Sequence, residues 1–393
     1  TFAGAGGSCL GYRMAGYRVV WANEVDPHAI ATYRVNHPKT HLETGDIRKV
    51  TGESLLAQLD QLGIAKGELD ILDGSPPCTV FSMAGKRAKK WGVKEEHAGT
   101  TQTVDDLFFE YARLVEAVQP RVFIAENVKG LVTGVAKGYF KLILKRLRDC
   151  GYNVKARVLD AQWLGVPQSR QRVIFIGVRN DLARKPAFPF PFPYRYSLSE
   201  ACPGIIGHEY QTAGFKDAVT KEGQPARTIT NWNQSGGRGF AIVRRGHGFF
   251  PGERRSLDKP ASTVLTNTES LGLIERGVSI KGYAIEKEWN KLKEGESSNK
   301  YFQLVKASQS KPSPCITSLG GKASRAGVTH PTERRKFSIA ELRRICSFPD
   351  DFKLAGSYSK QWARLGNSVP PLMMKAIAEV VRDEILLKVK ADA

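Results

Sequence analysis

Asp106-Leu-Phe-Phe-Glu-Tyr-Ala-Arg-Leu-Val-Glu-Ala-Val-Gln-Pro-Arg-Val-Phe-Ile-Ala125 decides the fold class. Its apolar residues first recur at helical spacing, from Asp106 to Val118. Gln119 and Pro120 then break the helix, and an apolar run, Arg121 to Ala125, follows at once as a strand. The same rhythm extends outward on both sides. Tyr17 to Ala22 reads as a strand, Pro27 to Asn36 as a helix and Leu69 to Asp73 as a strand. Tyr139 to Cys150 reads as a helix with Lys and Arg on its outer face. Val154 to Asp160 and Arg172 to Arg179 read as a late strand pair. Strands alternating with helices point to an α/β fold, a doubly wound sheet with helices on both faces. Thr1-Phe2 reads as the end of a strand, because Gly4, Gly6 and Gly7 follow directly, so a first strand is expected upstream.

The texture changes near Lys185. Pro186, Pro189, Pro191 and Pro193 alternate with Phe188, Phe190 and Phe192, and Gly, Ser, Thr and Arg dominate to about Thr332. This stretch is expected to be an irregular, β-rich insertion. It holds a loose echo, at Pro225-Ala-Arg-Thr, Pro260-Ala-Ser-Thr and Pro312-Ser-Pro-Cys, read as a recurrent turn and strand rather than a solenoid. Ser338 and Glu341 then form a capping-box pattern for a helix to about Ser347. Pro370 and Pro371 open a last helix to about Leu387. The expected domains are residues 1–184, an insertion over 185–332, and 333–393 returning to the first domain.

The 393 residues carry 59 Lys plus Arg against 39 Asp plus Glu, a formal net charge of +20. A chain this basic is expected to meet a polyanion, nucleic acid first. No apolar stretch is long enough to cross a membrane. No two of the six cysteines have metal-knuckle spacing, so no metal site is expected, and their low density suits a reducing compartment.

The chemistry-bearing residues fall at strand ends, where α/β sheets place ligands. Phe2-Ala-Gly-Ala-Gly-Gly is a turn that lets backbone approach a nucleotide-like ligand. Glu24 stands where a carboxylate would meet ribose hydroxyls, and Asp46 follows the next strand, as a helix cap or an adenine ligand. The turn lacks the spacing of the dinucleotide fingerprint. Cys78 ends Ile71-Leu-Asp-Gly-Ser-Pro-Pro-Cys, where paired prolines fix the backbone; alone it reads equally well as a buried core thiol.

These blocks, with Glu126-Asn-Val, Gln168-Ser-Arg-Gln-Arg172 and Gly366-Asn-Ser-Val-Pro370, occur in one order. Together they resemble the signature blocks of the cytosine-C5 DNA methyltransferases of bacterial restriction–modification type. Only the middle segment lacks a sharp motif. Thr79 stands where many members carry glutamine.

The resemblance implies a Rossmann-like methyltransferase domain with a smaller, inserted target-recognition domain, and S-adenosylmethionine as cofactor. It implies that Cys78 adds to carbon 6 of a flipped cytosine, that Glu126 meets N3 and the amino group, that Arg172 contacts the base carbonyl and that Arg170 organises the pocket. Cofactor contacts are expected from Phe2, Gly4, Gly6, Glu24, Val25, Asp46, Ile47, Pro77, Leu107, Asn367 and Ser368.

Duplex DNA is the expected partner. The basic stretch after Cys78 is expected to close over the flipped base, with Ser82, Lys86, Arg87 and Lys89 on phosphates. Gln168, Arg238, Arg244, Arg245 and Lys322 are further expected DNA contacts. The resemblance also implies a cytoplasmic, nucleoid-associated bacterial enzyme, monomeric on DNA, with a cognate restriction endonuclease.

Three other readings compete. A tRNA cytosine-5 methyltransferase would carry a Cys-Phe-Thr signature, which is not found here. A catalytically inactive DNA-binding relative would lose the Pro-Cys pair or the glutamate. A nicotinamide oxidoreductase would leave Cys78, Glu126 and the arginine pair without a joint role.

Overall fold

Helices cover both faces of a mixed sheet in the computed structural model, which describes residues 1–77, 95–97, 100–102, 107–202, 240–242, 273–275 and 277–392. Cys78, Ser82, Lys86, Arg87, Lys89, Arg238, Arg244 and Arg245 lie outside the described residues. The first half runs α1 (Gly7–Met14), β1 (Trp21–Glu24), α2 (Pro27–Asn36), β2 (His41–Thr44), α3 (Gly52–Asp60), β3 (Ile71–Gly74), the short hairpin β4 (Glu95–His97) and β5 (Thr100–Gln102), α4 (Leu107–Val118), β6 (Val122–Val128), α5 (Lys137–Asp149), β7 (Tyr152–Asp160) and β8 (Gln171–Arg179). Then come α6 (Leu198–Ala201), β9 (Phe240–Ile242), β10 (Leu273–Glu275), α7 (Ala284–Trp289), β11 (Val305–Lys306) and β12 (Val328–Thr329). The chain ends on α8 (Ile339–Ile345), α9 (Tyr358–Asn367), α10 (Pro371–Val381), a π turn and α11 (Leu387–Asp392).

The main sheet has the order β3-β6-β8-β7. β3 and β6 are parallel, while β8 runs antiparallel to both β6 and β7, so the late strand pair expected from sequence forms. β1 and β2 make a separate parallel pair. Among the described residues the facing edges of β1 and β3 do not pair. Thr1 to Ala3 lie between their ends, with Ala3 N–H donating to the Asn23 carbonyl at 2.9 Å.

Strand alternation builds two cores from one sheet. Phe123 and Ala125 of β6, with Val173 and Phe175 of β8, pack against α3, α4 and α5. Their neighbours Val122, Ile124, Ile174 and Ile176 pack on the opposite face against α1 and α10. Strands buried on both faces read as continuous apolar runs, which is the pattern of Arg172 to Arg179. A third core joins Leu198, Ala201, Ile316 and Val328 to Phe337, Leu342, Phe348 and Trp362. Residues on both sides of position 332 therefore share one core.

Local signals explain the element ends. Asp26 caps α2 by accepting from Ala29 N–H at 2.8 Å, with Pro27 in the first turn. Ser338 and Glu341 form the expected reciprocal capping box on α8. The first strand begins later than its apolar run, because Gly16 and Tyr17 still close α1, through Gly16 N–H to Arg13 O and Tyr17 N–H to Tyr12 O. The middle segment also contains two short helices, α6 and α7, where irregular structure is expected. Among the described residues, no helix is long and apolar enough to cross a membrane.

Candidate active site

The strand ends open onto a cavity. One wall is the glycine turn. Phe2, Gly4 and Gly6 all have positive φ, at 54°, 57° and 88°. At Gly6 a side chain is also excluded by space, since a Cβ there would lie 2.3 Å from Nε2 of His37. Glu24 fastens this turn to β1. Its Oε2 accepts from Gly4 N–H at 2.6 Å, and its Oε1 accepts from Val25 and Asp26 N–H at 2.8 Å each. Asp46 takes the capping role that competed for it. It accepts from Arg48 N–H at 3.0 Å and pairs with the Arg48 guanidinium at 3.1 Å, while still lining the cavity.

Phe2, Gly4, Glu24, Val25, Asp46, Ile47, Pro77, Leu107, Asn367 and Ser368 all line this one cavity, so residues up to 366 positions apart meet there. Gly6 is not on its lining and sits behind the turn against His37.

The reactive side is built by sheet register. Val122, Ile124 and Glu126 alternate onto one face of β6, and Ile174 and Arg172 onto the same face of β8. Glu126 stands opposite Ile174, so Arg172 is its diagonal neighbour. An apolar stripe thus ends in a charged pair at the cavity, with Arg172 Nε 2.8 Å from Glu126 Oε1. That contact is an ion pair rather than an aligned hydrogen bond, since Nε has no hydrogen-bond partner. Glu126 is 8% exposed. The next residue, Asn127, donates from Nδ2 to the Pro76 carbonyl at 3.1 Å. This bond ties the Ser75-Pro76-Pro77 strip, which leads to Cys78, to the strand that carries Glu126.

Arg170 precedes β8 and is buried. Its Nη1 donates to the carbonyls of Ile316, at 3.2 Å, and Gly366, at 3.0 Å. It thereby pins two distant segments to the sheet edge. Burial pushes its pKa down, and the charge of Arg172 adds to this.

Gln168 departs from its expected role. It is fully buried, its Nε2 3.3 Å from Cys346 Sγ and its Oε1 3.4 Å from Ile316 N. It has no surface to offer DNA and instead buttresses Arg170. Lys322 is exposed, just past the turn Ser318–Gly321, whose Ser318 lines the cavity.

The four buried cysteines make poor nucleophiles. Burial pushes Cys9 and Cys150 up to about 11 and Cys346 up to about 12, and it raises Cys202 as well. Cys315 is partly exposed, 3.8 Å from Arg170 Nη1.

Sequence reasoning missed Asp26, Asp73 and Arg364, all on the cavity lining. Burial pushes Asp73 up to about 6, and Tyr12 donates to it at 3.1 Å. Asp73 sits in the apolar run of β3 and Asp26 caps α2, so neither stands out in the sequence as a cavity residue.

Comparison with known proteins places this geometry. The model of the C-5 cytosine-specific DNA methylases matches residues 1–383. The chain is 29% identical over 380 residues to the type II methyltransferase M.Sau96I of Staphylococcus aureus, covering 96% of this chain and 74% of that one. It is 31% identical over 386 residues to the type II methyltransferase M.PspPI of Psychrobacter, covering 97% and 77%. Among solved structures, a prophage-encoded DNA modification methyltransferase of Escherichia coli superposes with a TM-score of 0.67 at 21% identity, covering 98% of each chain. The DNMT2 of Spodoptera frugiperda superposes at 0.56 with 18% identity, covering 99% and 97%. The chain belongs to the C-5 cytosine-specific DNA methylase family, whose members transfer a methyl group from S-adenosylmethionine to carbon 5 of cytosine.

Proposed function

We propose that the chain methylates one cytosine of a short duplex site, as the modification arm of a type II restriction–modification system, with Cys78 as nucleophile. The observation that carries this reading is the buried Glu126–Arg172 pair, held by Asn127 beside the strip that leads to Cys78. The cavity suits the family's cofactor by the chemistry of its lining. Carboxylates at Glu24 and Asp46 match ribose hydroxyls and an adenine amino group, and Phe2, Ile47, Pro77 and Leu107 offer apolar faces to the ring. When bound, the cofactor supplies an electrophilic methyl group on a sulfonium.

The protein's own residues then do the following. The Cys78 thiolate forms a bond to carbon 6 of the flipped cytosine, and the electrons of the 5,6 double bond shift to carbon 5. Glu126, which takes up a proton from solvent as its ion pair with Arg172 opens, donates that proton to N3, which makes carbon 6 electrophilic, and its other oxygen accepts from the amino group. The base carbonyl competes for the Arg172 guanidinium, freeing Glu126 to engage the ring. After carbon 5 gains the methyl, its proton leaves to solvent and the bond from sulfur to carbon 6 breaks. Arg170 and Gln168 keep the pocket edge in place.

Residues 185–332 serve as the target-recognition domain, with Arg238, Arg244, Arg245 and Lys322 toward DNA. The stretch holding Ser82, Lys86, Arg87 and Lys89 closes over the flipped nucleotide. The enzyme works as a monomer on DNA in the bacterial cytoplasm, and a cognate endonuclease reads the same site. Incubation with duplex plasmid or with tRNA, followed by mapping of 5-methylcytosine, tests this reading. Methylation at one short motif in DNA is expected, and methylation of tRNA alone would contradict it.

A further inference from the structure

Phe302, in the middle segment, is 69% exposed and has no part in the steps above. It stands at the tip of a hairpin-like turn that leads into β11. Ser297 bridges to Val305 at the base of this turn, and Ser298 N–H donates to the Leu304 carbonyl at 2.8 Å. Ser298 Oγ accepts from Lys300 N–H at 3.0 Å and from Tyr301 N–H at 2.9 Å, and donates to Glu288 Oε1 at 3.1 Å. Tyr301 packs inward on the cluster of Ile280, Ile285, Trp289 and Leu304. The braced turn holds Phe302 outward, and Gln303 takes a left-handed backbone with φ 73°. That conformation strains a residue with a side chain. A lone exposed apolar residue is ordinary, but one held out by a braced and strained turn is a built feature. A second turn stands beside the first. β11 and β12 are parallel, with Val305 opposite Val328, so the residues entering the two strands lie at one end. Ala326 packs on the same cluster as Tyr301, and Lys322 and Arg325 of this second turn are exposed, as is Lys300 of the first. The stem of the second turn, Thr317 and Ser318, lines the cavity. Its Gly320 and Gly321 lie on Trp362 of α9, where a Cβ would come within 3.1 and 2.8 Å of the ring and its stem.

We propose that the turn 299–303 reads one A·T pair of the target duplex from the major groove, with Phe302 seated on the thymine methyl and the Gln303 amide pairing with the adenine. Lys300, Lys322 and Arg325 hold the flanking phosphates. The inference rests on the reading of the chain as a methyltransferase of duplex DNA. The side chains select this partner by their chemistry. An apolar surface fits the methyl group that only thymine presents in the major groove, and a side-chain amide fits the donor and acceptor of adenine. Cations on both sides suit a polyanion, and such contacts position the duplex without reading it.

The test takes the duplex site mapped by plasmid methylation and replaces each thymine in turn by uracil, which removes only the 5-methyl group. One replacement is expected to weaken binding of the wild-type chain by about fourfold, the worth of one buried methyl group. Phe302→Ala should weaken the thymine duplex at least as much and be indifferent to that replacement, the coupling expected of a direct contact. Gln303→Gly suits the left-handed backbone and removes the amide, so it should lower discrimination against other pairs at that position by about fivefold to 150-fold. Arg325→Ala should instead weaken all duplexes alike and reduce the salt slope by about one. A mapped site without an A·T pair would overturn the proposal, as would a wild-type chain indifferent to every uracil or a Phe302→Ala variant that kept full affinity and uracil sensitivity. If Phe302→Ala changed the sedimentation of the chain and not its DNA binding, the ring would be a contact between copies, which also overturns it. A wild-type chain that methylated no duplex DNA would defeat the underlying reading itself.

Discussion

At the scale of the residue, the ion pair of Glu126 and Arg172 follows from alternation along two strands. The pattern of Arg170 and Arg172 in the sequence predicted one shared face, and both do line the cavity, although Arg170 precedes the strand. Gln168 was not legible in the same way. What buries it is the 313–316 strip, brought to it by the fold across almost 150 positions of sequence, through Ser169 N–H to the Ser313 carbonyl. Glu126→Gln should lower kcat by about 10²- to 10⁴-fold, the usual worth of a positioned proton donor, with DNA affinity little changed. Single-turnover methylation of a duplex checks this. Arg170→Ala should act on stability, by about 1–3 kcal/mol, because the carbonyls of Ile316 and Gly366 lose their buried donor. A urea titration reads that loss.

Elements were legible where a local signal marked them. The bounds of α2 match the reading because Asp26 and Pro27 announce its start. The capping box of α8 is also entirely local, and Ser338→Ala should cost about 1 kcal/mol in urea unfolding. α9 was missed, since only Trp362, Leu365 and Gly366 of its ten residues are buried and Lys, Gln and Arg surround them. Its importance comes from what it carries to the cavity, Arg364 and Asn367. The glycine turn makes a sharper prediction. Gly6→Ala meets both a left-handed backbone and the His37 ring, so it should abolish or strongly weaken binding of S-adenosylhomocysteine, measured by calorimetry. Unchanged affinity would mean that the turn is more compliant than its geometry indicates.

Two properties belong to the whole molecule. The net charge of +20 predicts that DNA binding falls steeply with salt, by as much as about 10³-fold between roughly 50 and 200 mM if some six phosphates are contacted. Stability should also depend on pH through two histidines. Burial holds His37 and His330 down at about 4, against an ordinary value of 6.5. At these two sites the unfolded chain therefore takes up protons first as pH falls. Their contribution to stability is full above about pH 6.5 and declines toward about pH 4, where the folded histidines titrate as well, while the raised Asp73 offsets part of the loss. Urea midpoints at pH 7 and pH 5 should show the drop, and His37→Phe should reduce it. The doubly wound sheet itself was legible because its alternation spans the chain's first 180 residues. The assembly of its far end was not, because residues 312–318 and 364–369 reach the cavity only through long-range packing.

The central claim is that Cys78 attacks the flipped base, and a duplex carrying 5-fluorocytosine at the target position tests it most directly. Fluorine blocks loss of the final substituent at carbon 5, so the bond from sulfur to carbon 6 cannot be released. With S-adenosylmethionine present, the wild-type chain should form a denaturation-resistant DNA adduct that peptide mapping assigns to Cys78, and Cys78→Ala should form none. An active enzyme that gave no adduct, or one that mapped to the partly exposed Cys315, would contradict the account.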